Sequence, residues 1–236
     1  MAAAGETGPL WLRAEAQTGG RGRSGRTWTS VPGNLYASLL IRLDCPPEAV
    51  HQLSLLTGVA VHDAIRVAAN ERGIELPELR LKWPNDVLID GAKLVGILPE
   101  STVIGGSSPV VIAVIGVGIN LAGHPEGLGR AVTHLGAHGC NIDAASMLGH
   151  LAAALHNWLV RWSDGANFRD VRAAWLQRAG APGEPTSINT GRETVEGSFQ
   201  GIDAEGALVL RDQSGAERRF TYGDVTLGAA GASDRR

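Results

Sequence analysis

The segment Gln17-Thr18-Gly19-Gly20-Arg21-Gly22-Arg23-Ser24-Gly25-Arg26 gathers four glycines and three arginines within ten residues, with Trp28 close behind. Glycine lets backbone N–H groups approach an oxyanion closely. Arginine adds forked, permanently charged donors suited to phosphate or carboxylate. The segment reads as an anion site. A solvated basic turn fits the same residues, and so does a contact with single-stranded nucleic acid. A second group, Lys82-Trp83-Pro84-Asn85-Asp86, has a proline that stiffens a turn and drives Trp83 extended, which presents Lys82, Asn85 and Asp86 at a strand end. Taken alone, it reads equally as a structural turn around a buried tryptophan.

Two further groups lie on apolar runs. In Gly91-Ala92-Lys93-Leu94-Val95-Gly96-Ile97-Leu98-Pro99-Glu100 a lysine enters a strand-like stretch, and Gly96 leaves room for a ligand. A lysine among buried neighbours is costly unless an anion meets it; an edge lysine that discourages strand aggregation is the structural alternative. Gly116-Val117-Gly118-Ile119-Asn120 lacks the third glycine and the following helix of a dinucleotide fingerprint. Asn120 either reads a purine edge or ends the strand.

The elements that must position these groups are legible from periodicity. Leu10 to Gln17 reads as a short strand, Thr18 to Asn34 as a loop, and Leu35 to Leu43 as a buried strand. Leu53, Leu56, Ala60, Ala64, Val67 and Ala68 recur at helical spacing, with Gly73 at the C-terminal cap. Strands are expected at 79–83, 86–89 and 93–99, the last two joined by an Asp90-Gly91 hairpin turn. The β-branched run Val110 to Ile119 predicts a central strand. Asp143 can cap a second helix bearing the stripe Leu148, Leu151, Leu155, Trp158, Leu159 and Trp162. A third helix carries Phe168, Val171 and Trp175. Beyond Gly180 the texture changes to a Pro/Gly linker and short alternating strands, which reads as a small all-β barrel of about fifty residues.

The chain has 236 residues and a net charge of -3, which argues against a general nucleic-acid coat. Cys45 and Cys140 show no ligand spacing, and with no disulfide framework a reducing cytoplasm fits. The start lacks the basic and apolar regions of a signal peptide, and no apolar run is long enough for a membrane span. The seven histidines are scattered and read as surface or satisfied core residues.

The arginine loop, Asn34-Leu35-Tyr36, Lys82-Trp83-Pro84-Asn85-Asp86, Lys93-Leu94-Val95-Gly96-Ile97-Leu98 with Glu100, and Gly116-Val117-Gly118-Ile119-Asn120 occur in one order from about Ala14 to Asn120. In that order they resemble the biotin–protein ligases, of the monofunctional type without an N-terminal DNA-binding domain. The resemblance implies an α+β fold: a mixed β-sheet with packed helices over 1–180, and a small C-terminal SH3-like β-barrel over 183–228. It implies an enzyme that forms biotinyl-5′-adenylate from biotin and ATP with Mg²⁺. The biotin then passes to a lysine of a biotin carboxyl carrier protein of the acetyl-CoA carboxylase type. Lys93 and Arg23 are the implied catalytic residues. Gln17, Gly20, Arg21, Gly22 and Gly96 join them around biotin and its adenylate. Arg26, Trp28, Asn85 and Asn120 are assigned to the nucleotide, and Asp86 to the metal through Mg-ATP. The implied state is a cytoplasmic monomer or weak homodimer with no nucleic-acid or membrane partner.

The family also carries a Ser-Thr-Asn motif on a helix upstream of the arginine loop, and none precedes Gln17. The N-terminal strand and helix are therefore expected to be missing, through a downstream start, and a helix-turn-helix domain has no room. A non-catalytic biotin- or adenylate-binding module is the alternative that this departure raises. A lipoate–protein ligase is the neighbouring enzyme, against which the arginine loop and Lys-Trp-Pro-Asn-Asp speak.

Overall fold

A computed structural model describes residues 8–105 and 110–228. Six strands form the larger sheet: β1 (Leu10–Ala14), β2 (Leu35–Leu43), β3 (Leu79–Lys82), β4 (Asp86–Ile89), β5 (Ala92–Ile104) and β6 (Val110–Ile119). Their spatial order is β1-β2-β6-β5-β4-β3. Every ladder is antiparallel. Among the described residues, parallel pairing enters only at the bridges Leu81–Ala179 and Lys93–Val132. The run Val110 to Ile119 is the inner strand its composition predicts. Asp90 and Gly91 have φ of 48° and 75°, as the two centres of a hairpin turn between β4 and β5 must.

Strand β5 continues to Ile104, past the expected end at Pro99. A proline is excluded from a ladder only where its missing N–H is needed. Strand β4 pairs with β5 no further than Gly96, so beyond that point one edge of β5 is free of β4. Pro99 stays in register with Ile115 of β6 on the other edge.

One face of the sheet is covered by α1 (Gln52–Asn70), which packs in turn on α2 (Ala144–Trp162) and α3 (Phe168–Arg178). Being sandwiched, α1 is buried nearly all round. Gly58 of α1 faces Leu81 and Ile97 of the sheet. Asp143 caps α2 by accepting from the N–H groups of Ala145 and Ser146, both at 2.9 Å. Leu148 and Leu159 of the expected stripe are only partly buried, whereas Met147, Leu151, Leu155, Trp158 and Trp162 face inward.

Strands β7 (Pro185–Asn189), β8 (Thr194–Ile202), β9 (Leu208–Asp212), β10 (Glu217–Phe220) and β11 (Asp224–Leu227) form a second antiparallel sheet, ordered β10-β9-β8-β7-β11. The ladder does not close: β10 and β11 are its ends. A register shift between Phe199 and Gly201 bends β8. This sheet is docked firmly on the first. Phe199 and Ile202 belong to the same apolar cluster as α3, and Arg80 pairs with Glu184 at 2.8 Å. The indole N–H of the buried Trp83 donates to the Gly206 carbonyl at 3.1 Å. Trp83→Phe should therefore cost about 2 kcal/mol, because it strands a buried acceptor as well as losing a bond. Urea unfolding followed by circular dichroism measures this, and an unchanged midpoint would mean that the docking bond contributes nothing.

Candidate active site

A cavity of about 810 Å³ opens on the sheet face that α1 does not cover. Side chains alternate along a strand. On β5 and β6, Val95, Ile97, Val117 and Ile119 turn into the core, which leaves Gly96 and Gly118 on the cavity face. These two glycines are directly paired in register, so the floor is a trough without side chains. The Trp28 indole lies along it. A Cβ on Gly96 would stand 2.5 Å from the ring, and one on Gly118 would stand 2.7 Å from it. The Lys93 ammonium is 5.6 Å from the indole centroid. The buried indole nitrogen has no partner among the described residues.

The arginine loop folds on itself before it reaches the cavity. Gly22 N–H donates to the Arg26 carbonyl at 2.7 Å, and Trp28 N–H donates to the Gly20 carbonyl at 2.9 Å. Ser24 and Gly25 have φ of 55° and 71°, which makes the tight reversal possible. Arg23 donates to the Asn85 side-chain oxygen at 3.2 Å and to the Gly223 carbonyl at 3.1 Å. Burial pushes its guanidinium down from the ordinary value, against the opposing pull of Asp224 and Asp86. Arg26 pairs with Asp224 at 2.7 Å. Gly223 and Asp224, at the start of β11, thus hold two of the loop's arginines. Arg21 is more exposed and pairs with Glu100 at 2.9 Å.

The turn between β3 and β4 supplies the rest. The Asn85 amide donates to the Ile97 carbonyl at 2.7 Å, and Ile97 N–H donates to the Asn85 carbonyl at 3.0 Å. That clip fixes the turn to β5. Asp86 is 8% exposed and lies between two ammonium groups. Its Oδ1 accepts a short hydrogen bond from Lys93, and Lys82 stands 3.2 Å from Oδ2. Burial opposes ionisation of Asp86, but the two lysines outweigh it and hold the carboxyl below the usual carboxylate range. Burial pushes Lys93 the other way, down from the usual lysine value, with Asp86 opposing. Lys93 lies on an inner strand, so the edge-lysine reading does not hold.

Gln17, Arg21, Gly22, Arg23, Arg26, Trp28, Asn85, Asp86, Lys93 and Gly96 thus share one cavity wall or floor. Two expected residues do not. Gly20 is buried against the Trp28 carbonyl, where a Cβ would clash, so its glycine is a packing requirement. Asn120 is 3% exposed, and its amide is already paired with the Thr133 carbonyl at 3.0 Å and the Asn34 amide at 3.3 Å. Asn34 in turn accepts from the N–H groups of Leu121 and Ala122, so this pair holds the turn after β6. Asp86 has no other carboxylate, histidine or cysteine grouped with it as a metal set among the described residues. Lys82, Arg130 and Asp224 line the cavity without having been singled out as site residues. Lys82 stands in the quoted turn and had a signal there. Arg130 and Asp224 come from separate loops, and nothing local marks them.

Residues 8–120 match the model of the biotin/lipoate A/B protein ligase family. Residues 183–228 match the biotin protein ligase C-terminal domain. The chain is 39% identical over 222 residues to the biotin–[acetyl-CoA-carboxylase] ligase of Paracoccus denitrificans, covering 91% of this chain and 89% of that one. The chain belongs to the biotin protein ligase family. The bifunctional ligase/repressor BirA of Bacillus subtilis is 35% identical across 91% of this chain, which spans 65% of that relative. Among solved structures, the biotin protein ligase of Aquifex aeolicus in complex with biotin and ATP superposes with a TM-score of 0.73 at 27% identity, covering 92% of this chain and 88% of that one.

Two outcomes follow for this ligase site. Asp86→Asn leaves a buried ammonium pair without its counter-charge and should cost about 3 kcal/mol at neutral pH. Because the folded pKa of Asp86 is depressed, its contribution is present above the ordinary carboxylate range and is lost as pH falls through the folded value. The gap between wild type and Asp86→Asn in denaturant titrations should therefore close on acidification, and a gap independent of pH would refute the ion-pair account. Asp224→Ala frees Arg26 at a half-exposed pair, so stability should change by less than about 1 kcal/mol. Trypsin should nonetheless cut the arginine loop faster in Asp224→Ala, and unchanged cleavage would deny Asp224 a restraining role.

Proposed function

We propose that this protein is a biotin–[biotin carboxyl carrier protein] ligase, which makes biotinyl-5′-adenylate and passes its biotin to a carrier lysine. The observation that carries the reading is the convergence of Arg23, Lys82 and Lys93 on a glycine-floored trough, in a chain 39% identical to a biotin–[acetyl-CoA-carboxylase] ligase. In the first step a biotin carboxylate oxygen forms a bond to the α-phosphorus of ATP. The bond from that phosphorus to the bridging oxygen breaks, and pyrophosphate leaves with the electron pair. Both reactants are anions, so Lys93 and Arg23 offset their repulsion and the charge that builds at phosphorus. In the second step a neutral lysine amine attacks the acyl carbon, an amide forms, AMP leaves and one proton is released.

Gln17, Arg21, Gly22 and Gly96 surround biotin and its adenylate in this reading, and Arg26, Trp28 and Asn85 face the nucleotide. Gly20 and Asn120 act at one remove, through loop and turn packing. Trp28 lies in the trough that the ligand needs, so its indole shifts on binding and becomes a wall that keeps water from the anhydride. The residues do not fit a resident magnesium site, since both Asp86 oxygens face lysines. Mg²⁺ enters as part of the Mg-ATP substrate, held by phosphates. Residues 183–228 act as a second unit that closes one side of the cavity. The same reading carries a cytoplasmic monomer or weak homodimer with no nucleic-acid partner. No helix among the described residues is long and apolar enough to cross a membrane.

Incubation with ATP, Mg²⁺, biotin and an apo carrier domain should add one biotin to the carrier, read by intact mass. Lys93→Ala should slow the addition by at least about a hundredfold. No mass gain with the wild-type chain would overturn the reading, and a fully active Lys93→Ala would remove Lys93 from it.

A further inference from the structure

The basic side chains around the cavity are almost all committed. Lys82 and Lys93 share Asp86, and Arg80 pairs with Glu184. The loop arginines at 21 and 26 pair with Glu100 and Asp224, and Arg23 bonds Asn85 and Gly223. Arg130 is the exception. It lines the same cavity, yet its guanidinium makes no hydrogen bond or ion pair among the described residues.

Its place is fixed by the backbone. Lys93 N–H donates to the Ala131 carbonyl at 2.9 Å, and Thr133 N–H donates to the Lys93 carbonyl at 2.9 Å. These bonds flank the Lys93–Val132 bridge and hold residue 130 beside the proposed catalytic lysine. The Arg130 charge reaches Lys93, where it disfavours the ammonium. A like charge that is paired with no acid among the described residues, set beside a largely buried lysine, suits a site that receives a polyanion. The phosphate of the adenylate is matched by Lys93 and Arg23. The surplus cation is needed only while the rest of the triphosphate is present. Arg130 is also exposed, which suits a group that must escape to solvent.

We propose that Arg130 binds the β- and γ-phosphates of ATP and offsets the charge on pyrophosphate as it leaves. The proposal rests on the ligase reading and names a residue for its nucleotide. Its test needs no turnover. Binding of α,β-methylene-ATP, which cannot be cleaved at that position, and of AMP is measured by calorimetry on the full chain in the presence of biotin. Arg130→Gln should weaken α,β-methylene-ATP about tenfold and leave AMP unchanged, with Arg130→Lys in between. Unchanged α,β-methylene-ATP binding in Arg130→Gln would overturn the proposal. So would an equal loss for AMP, which would put Arg130 on the retained phosphate. A wild-type chain that bound the analogue but biotinylated no carrier would sink the ligase reading and leave Arg130 to be judged on binding alone.

Discussion

Two ammonium groups gathered beside one cavity repel each other and resist desolvation, and Asp86 lies between them. That carboxylate is itself 8% exposed and would be costly to bury alone. Each member of the trio is tolerable because of the others. The trio also ties three segments together: Lys82 ends β3, Asp86 begins β4 and Lys93 is the second residue of β5. Its geometry depends on the Asp90-Gly91 turn, which sets the register of the last two strands, and on the Asn85 clip to Ile97. The interaction that organises cationic charge for an anionic ligand is therefore also the one that joins the edge hairpin to the middle of the sheet.

The second constraint is shape. A trough deep enough for a ligand needs strand positions without side chains, but glycine weakens a strand. The cost is limited because Gly96 and Gly118 face each other across an inner ladder, with the helix-covered face behind them fully packed. Trp28 occupies the space so created. The loop that carries it is bound to the start of β11 through Arg23 and Arg26. Lys82 reaches the Val225 carbonyl of the same strand at 3.1 Å. The C-terminal sheet is thus a wall of the cavity rather than a remote appendage. Movement of the arginine loop and the seating of that sheet are linked by those bonds.

Much of the framework was legible because local signals were strong. The strands at Leu35–Leu43 and Val110–Ile119 have the bounds that an apolar run and a β-branched run, respectively, suggest. The Asp143 cap and the Asp90-Gly91 turn are single-residue rules with local causes. The extension of β5 past Pro99 was not legible, because it depends on where β4 stops pairing. Nor was the open ladder of the C-terminal sheet, since alternation marks strands but not whether the first meets the last. Ten of the twelve anticipated site residues line the cavity. Gly20 lies outside it and Asn120 lines only a small adjoining cavity with Trp28, Lys93 and Arg130; motif order does not reveal which side of a strand end or loop a group faces.

By itself the sequence determined the chemistry available and the family: clustered arginines among glycines, a lysine entering an apolar strand, a proline-stiffened turn, all in a recognisable order. Those are properties of residue type and spacing along the chain. Only the tertiary structure decided the partners. That Asp86 serves two lysines, that Asp224 pairs with Arg26 across 198 residues, and that Arg130 lies beside Lys93 without a partner among the described residues are facts of distance in space. Coulomb interactions and hydrogen bonds depend on separation in space, and separation along the chain does not encode it.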